Sequence, residues 1–197
     1  GIGRATALRA HARSVRQRDM SIIEQVEEDL PNFPQDIIEQ WIGYYAQSEG
    51  WPPAAPPEGR WGNLLGNRGL PYWQGVEWHL ETLSPEVIQL TPDCEDLIEQ
   101  IKAAHAGRAQ NAYSEYMGEE ARNRFHNIIW YLRNEGSLPC PPIVLNHDGA
   151  YEILDGNHRV AAYQLWVNWK DQKSFQREPF PVPLIDEVEF WVGYPNA

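Results

Sequence analysis

Apolar and polar positions alternate along this chain in a way that predicts a run of short elements. Between residues 21 and 48 the pattern predicts two short helices, broken near Pro31 and Pro34. In the second, Ile37, Ile38, Trp41, Ile42 and Tyr45 recur at about the 3.6-residue helical period. Residues 50–75 follow neither period. Eleven of these 26 residues are Gly or Pro, so no helix or strand can run far. Trp51, Trp61, Tyr72 and Trp73 lie among them, which predicts a loop packed on the body. The stretch "WPPAAPP" also suits a polyproline-type ligand for a partner, and the sequence leaves both readings open.

The second half is more regular. "VEWHLETL" (76–83) predicts a strand, and "TPDCEDLIEQIKAAH" a helix capped by Thr91 or Asp93, with Leu97, Ile98 and Ile101 on one face. Ala121, Phe125, Ile128 and Leu132 predict a stronger helix over 119–134, stopped by Gly136. "PPIVLN" and "AYEILD" are two strands joined by "HDG", expected as a three-residue hairpin loop. Ala162, Leu165, Trp166 and Trp169 form a further helical stripe, and "PVPLIDEVEFWVG" a last strand. The order predicts a compact α+β domain over 76–197, a small mixed sheet flanked by helices. It is preceded by N-terminal helices and a Gly/Pro/Trp-rich loop (20–75) and by an arm (1–19).

Charge changes the picture at the arm. Residues 1–19 hold five arginines (Arg4, Arg9, Arg13, Arg16, Arg18) and one acid. The remainder holds 11 basic and 27 acidic residues, so it repels long nucleic acid unless positive charge is gathered locally. The arm reads as an expression remnant or in-frame extension ahead of Met20, or as the DNA-recruiting segment. No signal peptide is expected, and no apolar run approaches the ~20 residues that span a bilayer. Two cysteines, Cys94 and Cys140, make neither a disulfide framework nor a zinc spacing, so a reducing, cytoplasmic setting is expected. His79, His105, His126 and His147 show no HxxxH or HExxH spacing.

The candidate chemistry sits in "EILDGNHRVAAYQLW", where a strand meets a helix. Gly156 permits a sharp turn and close approach of a ligand. The next amides fall in the first helical turn, which lacks intrahelical partners and suits an anion. Arg159 can grip phosphate with two donors, His158 can move a proton near neutral pH, and Asn157 can orient a phosphate or water. Asp155 can ligate a metal or cap the helix. The plainer reading is a turn with Asp155 as N-cap and His158-Arg159 as an exposed helix start.

"GSLPCPPIVL" followed by "YEILDGNHRVAAY" resembles the ParB/sulfiredoxin superfamily, whose members pair a G-x-x-x-P-[PI]-V segment with a DG-x-HR-x-x-A box. The resemblance covers about residues 76–197. It implies binding and often hydrolysis of a nucleotide, CTP in ParB proteins, ATP in sulfiredoxin and ADP or ATP in free serine kinases; ATP is the substrate expected here, with Mg²⁺ as the ion that neutralises its phosphates. Gly156, Asn157, His158 and Arg159 would hold phosphates, and Gly136 to Pro142 would form the adjoining wall. Asn157 stands where sulfiredoxins carry cysteine, which argues against their chemistry. The roughly 35 residues after the box are not expected to hold the helix-turn-helix module of ParB proteins. Glu77 or Glu81 would serve as the base in a free serine kinase of this fold.

A short member with added N-terminal helices is most similar to plasmid fertility-inhibition factors of the oncogenic-suppression type. Those act on conjugative or T-DNA transfer and are credited with ATPase and DNase activity. The expectation is therefore an ATP hydrolase that also cuts DNA, with His158, Arg159, Asn157 and Asp155 catalytic, and with Gly136, Pro142 and Gly156 helping to bind nucleotide. It would be cytoplasmic, with type IV secretion or conjugation proteins as partners at a membrane complex. The alternatives are an interaction protein that uses nucleotide only as a switch, and a small-molecule kinase.

Overall fold

A computed structural model describes residues 20–108 and 110–196. The arginine arm 1–19, and the expectation that it recruits DNA, lie outside the described residues. The chain divides into two compact units, one holding residues up to Glu77 together with Pro195 and Asn196, the other Trp78–Tyr194.

The first unit is helical. α1 (Ile22–Asp29) starts in a capping box: Ser21 Oγ accepts from the Glu24 amide and the Glu24 carboxylate accepts from the Ser21 amide. Pro31 and Pro34 break the chain as expected. α2 is a continuous helical stretch of Gln35–Ile37, a π-turn at Ile38–Ile42, and Gly43–Glu49. Ile37, Ile38, Trp41, Ile42 and Ala46 are buried. A Cβ on Gly43 would stand 2.6 Å from the Ile38 carbonyl, so only glycine fits behind the π-turn.

The Gly/Pro-rich region holds two short helices, α3 (Gly59–Leu65) and α4 (Leu70–Gln74). Its aromatic residues face inward. Trp73 and Trp41 meet edge to face at 5.5 Å, and Trp51 and Trp61 at 5.7 Å. Trp51 Nε1 donates to Asp29 and Trp61 Nε1 to the Gly50 carbonyl. Pro52 and Pro56 remain exposed while Trp61 and Trp73 are buried, so the loop is packed on its own unit.

The second unit is α+β. Its sheet has the order β1 (Val76–Leu83), β4 (Val188–Pro195), β2 (Ile143–His147), β3 (Ala150–Asp155). β2 is antiparallel to β3 and parallel to β4, which makes the sheet mixed. α5 (Pro92–His105), a short α6 (Ala112–Tyr116), α7 (Glu119–Glu135) and α8 (Asn157–Trp169) complete it. α8 packs against both α5 and α7. Ile98, Phe125, Leu132, Val160, Trp166 and Phe190 lie in the core beneath the sheet residues Val144, Ile153 and Val192. Burial of such side chains stabilises by roughly 1.5–3 kcal/mol each. No helix among the described residues is long and apolar enough to cross a membrane.

Two expectations need correction. The hairpin loop has two residues, not three. His147 pairs with Ala150, and Asp148 and Gly149 both take positive φ (52° and 95°), as a primed turn requires. The last strand starts at Val188 rather than Pro181. Pro181 and Pro183 have no N–H to give a ladder, and the segment between them bonds instead to the end of α7. There the Val182 amide donates to the Arg133 carbonyl and the Ile185 amide to that of Gly136.

Candidate functional site

β3 ends at Asp155 and α8 begins two residues later. Gly156 makes the junction with φ 109° and ψ 18°. A Cβ there would lie 2.9 Å from Pro142 and 3.1 Å from the Arg159 guanidinium, so both backbone angle and space demand glycine. The first intrahelical bond runs from the Val160 amide to the Gly156 carbonyl. The amides of Asn157, His158 and Arg159 precede it and have no partner within the helix. Asn157 Oδ1 is buried and accepts no hydrogen bond among the described residues.

Arg159 differs most from expectation. It is buried, at 8% exposure, not presented at an open helix start. Nη1 donates to the Cys140 carbonyl (3.0 Å), to Cys140 Sγ (2.6 Å) and to the Pro141 carbonyl (3.1 Å), while Nη2 donates to Asp155 Oδ2 (2.6 Å). The guanidinium clasps the 140–142 segment to the turn. Asp155 is thus an ion-pair partner rather than an N-cap; the cap position belongs to Gly156, without a side-chain bond. Pro142 is brought against Gly156. Gly136 is not left open as a wall: it caps α7 with φ 69°, and the Pro183 carbonyl fills the space where a Cβ would go. The same 137–141 segment lines a cavity of about 200 Å³ shared with Glu187 and Glu189, whose carboxylates repel polyphosphate.

His158 is half-buried, and its Nε2 lies 2.6 Å from Tyr113 Oη. Tyr113 Oη lies 3.4 Å from His105 Nε2, and the His105 ring stacks on Phe125 at 3.8 Å. Burial pushes the His158 pKa below the usual imidazole value; Arg124 and Arg159 push the same way and Asp155 opposes them. His105 is lowered to about 4, first by burial and then by the nearby His158, His126 and Arg122. Burial raises Tyr113, against the pull of Arg124. Both imidazoles are therefore neutral at pH 7, and His158 is a ready proton acceptor.

Sequence reasoning does not reach Tyr113, His105 or Arg124 as members of the site. Tyr113 and His158 are 45 positions apart. The one local signal is "NAYS", where Asn111 and Ser114 form a capping box that starts α6 and sets Tyr113 in place. Of the carboxylates considered as a kinase base, Glu81 accepts from Tyr194 Oη at 2.7 Å. Among the described residues no group of three His, Cys, Asp or Glu side chains gathers as for a metal, and Asp155 is engaged by Arg159. Asp155 is the carboxylate at this turn, so a Mg²⁺ here would be held mainly by water and a bound group's own oxygens.

No family model, curated protein or solved structure matches the chain.

Proposed function

We propose that this protein is a phosphoester hydrolase, a nucleotide phosphohydrolase that takes ATP and, as a second substrate, DNA phosphodiesters. One observation carries the reading. The amides at the start of α8, which have no side-chain cap, the unpartnered Asn157 Oδ1 and the neutral His158 lie together on one turn. The amides and the helix dipole would hold a phosphate. Asn157 would orient the attacking water and His158 would take its proton. Arg124, exposed and felt electrostatically by both His158 and Tyr113, would meet the charge from outside. Arg159 and Asp155 then act by position, holding the Cys140–Pro142 wall. Mg²⁺ would arrive with the nucleotide.

The test is release of labelled phosphate from ATP and Mg²⁺, with His158→Ala prepared in parallel. Loss of the proton step should slow turnover by ~10²–10⁴-fold. Because the His158 pKa is depressed, activity should persist below pH 6.5 before it falls. Equal turnover in both preparations would refute the reading. Plasmid nicking by the same two preparations tests DNA as the second substrate.

A further inference from the structure

The chain carries 28 acidic residues, yet residues 121–134, "ARNRFHNIIWYLRN", contain none. They form most of α7. Phe125, Ile128, Ile129 and Leu132 turn inward, while Arg122, Arg124, His126, Asn127, Trp130 and Tyr131 are exposed. The outer face of the longest helix is thus cationic, amide-bearing and aromatic, on a protein of net charge −12. Arg122, His126 and Trp130 follow one another at i, i+4 and i+8, a ridge spanning about 12 Å at 1.5 Å per residue.

The ridge has two distinct ends. At one, Arg122 and His126 are close enough to depress His105, which reaches His158 through Tyr113. At the other lies a cavity of about 520 Å³, lined by His126, Trp130, Arg133, Phe175, Arg177 and Pro179. Trp130 is 59% exposed, and the Arg133 guanidinium sits 5.4 Å from its ring centroid. Arg133 is itself fixed by its bonds to the Arg177 and Pro179 carbonyls. The indole is braced on one side and open on the other.

We propose that the Arg122–His126–Trp130 ridge of α7 and this cavity form the binding surface for a single-stranded nucleic acid, with phosphates at Arg122 and Arg177 and an unstacked base on Trp130. Charge complementarity selects a polyanion, since no carboxylate interrupts the ridge; in the cavity one carboxylate, Glu178, stands beside Arg177 and Arg133. The exposed, braced ring selects one with bases, because stacking needs a flat π-face. The hydrolytic reading supplies only what would follow binding; binding itself does not depend on turnover.

The test is fluorescence anisotropy of a labelled 20-mer of thymidylate with the full chain, over a salt series. Arg122→Gln/Arg177→Gln should weaken binding at least tenfold and flatten the log–log salt slope by about 1.4, at about 0.7 per lost phosphate contact. Trp130→Ala should weaken binding about five- to a hundredfold while leaving that slope unchanged. All three side chains are exposed, and circular dichroism checks the fold. Arg60→Gln, on the helical unit, is the control and should bind as wild type. Unchanged affinity in either test variant overturns the proposal. So does equally tight binding of poly-glutamate with the same loss in Trp130→Ala, which would make the face a site for an acidic protein. Binding retained in a hydrolytically dead His158→Ala chain would support this surface, and its failure would be separate from failure of the hydrolytic reading.

Discussion

In the helical unit, polar side chains close the chain on itself; in the α+β unit, several are held ready at a surface turn. Asp29, Asn32 and Gln74 show the first use. Asp29 accepts from Trp51, Asn32 donates to the Trp73 and Val76 carbonyls, and Gln74 donates to the Asp29 carbonyl. Each bond ties an irregular glycine- and proline-rich path to a helix that could not otherwise hold it. The second use appears at α8, where His158 is kept neutral by burial and meets Tyr113 Oη at 2.6 Å; an unpaired oxygen does not by itself mark the site, since Asn32 Oδ1 is unpaired as Asn157 Oδ1 is. The contrast teaches where to look for chemistry. Four of the nine tryptophans, Trp41, Trp51, Trp61 and Trp73, draw the eye to the helical unit, but there the rings build a core.

The sharpest way to break that comparison is Trp41→Ala. If the rings of the helical unit are core, the substitution should cost about 3–5 kcal/mol. Urea unfolding with hydrogen exchange over α2 measures it, and a cost below about 1 kcal/mol would deny the ring cluster its structural role. Next comes Arg159→Met. It removes the Arg159–Asp155 ion pair and the donor to the 140–141 carbonyls, so a loss of about 2–3 kcal/mol is expected. Arg124→Met, at a 62% exposed pair with Glu120, should change stability by only about 0.5 kcal/mol or less. Equal costs in the two variants would erase the distinction between the clasp and the outer face.

Gly156→Ala should cost about 1–3 kcal/mol through its positive φ and should also weaken nucleotide binding, because Pro142 must move. Retained affinity in a destabilised variant would separate turn geometry from phosphate binding. Stability should also depend on pH. Folded His105 takes its proton only near pH 4, whereas the unfolded residue takes it near 6.5. Unfolding therefore binds a proton between these values, and stability should decline as pH falls through that window. His105→Gln should flatten the decline seen in thermal melts.

How far the sequence was legible depends on the range of the contacts involved. β1 falls over the residues its alternation marks, and Gly136 ends α7 in the left-handed conformation that its position suggested. These are local matters of period and capping. The orientation of Arg159 is not local. The sequence puts it at the start of a helix, but its burial depends on the φ of Gly156 and on carbonyls 18 and 19 positions earlier. The Tyr113–His158 contact is less visible still, since nothing in either segment encodes their meeting. The π-turn in α2 is hidden too, because an apolar stripe reads much the same through one extra residue.

The Arg159 clasp also has a consequence in time. It closes a loop from Cys140 to Arg159 that contains the whole β2–β3 hairpin and the first turn of α8. All its contacts are close in sequence, so little chain entropy is spent before they form. We expect this segment to assemble early, as part of the folding nucleus. Arg159→Met should then act mainly by slowing refolding rather than by speeding unfolding, with a φ-value near the upper end of the scale, while Trp41→Ala should do the reverse. Stopped-flow measurement of both limbs would show whether the Gly156 turn is among the first parts of the molecule to take its final shape.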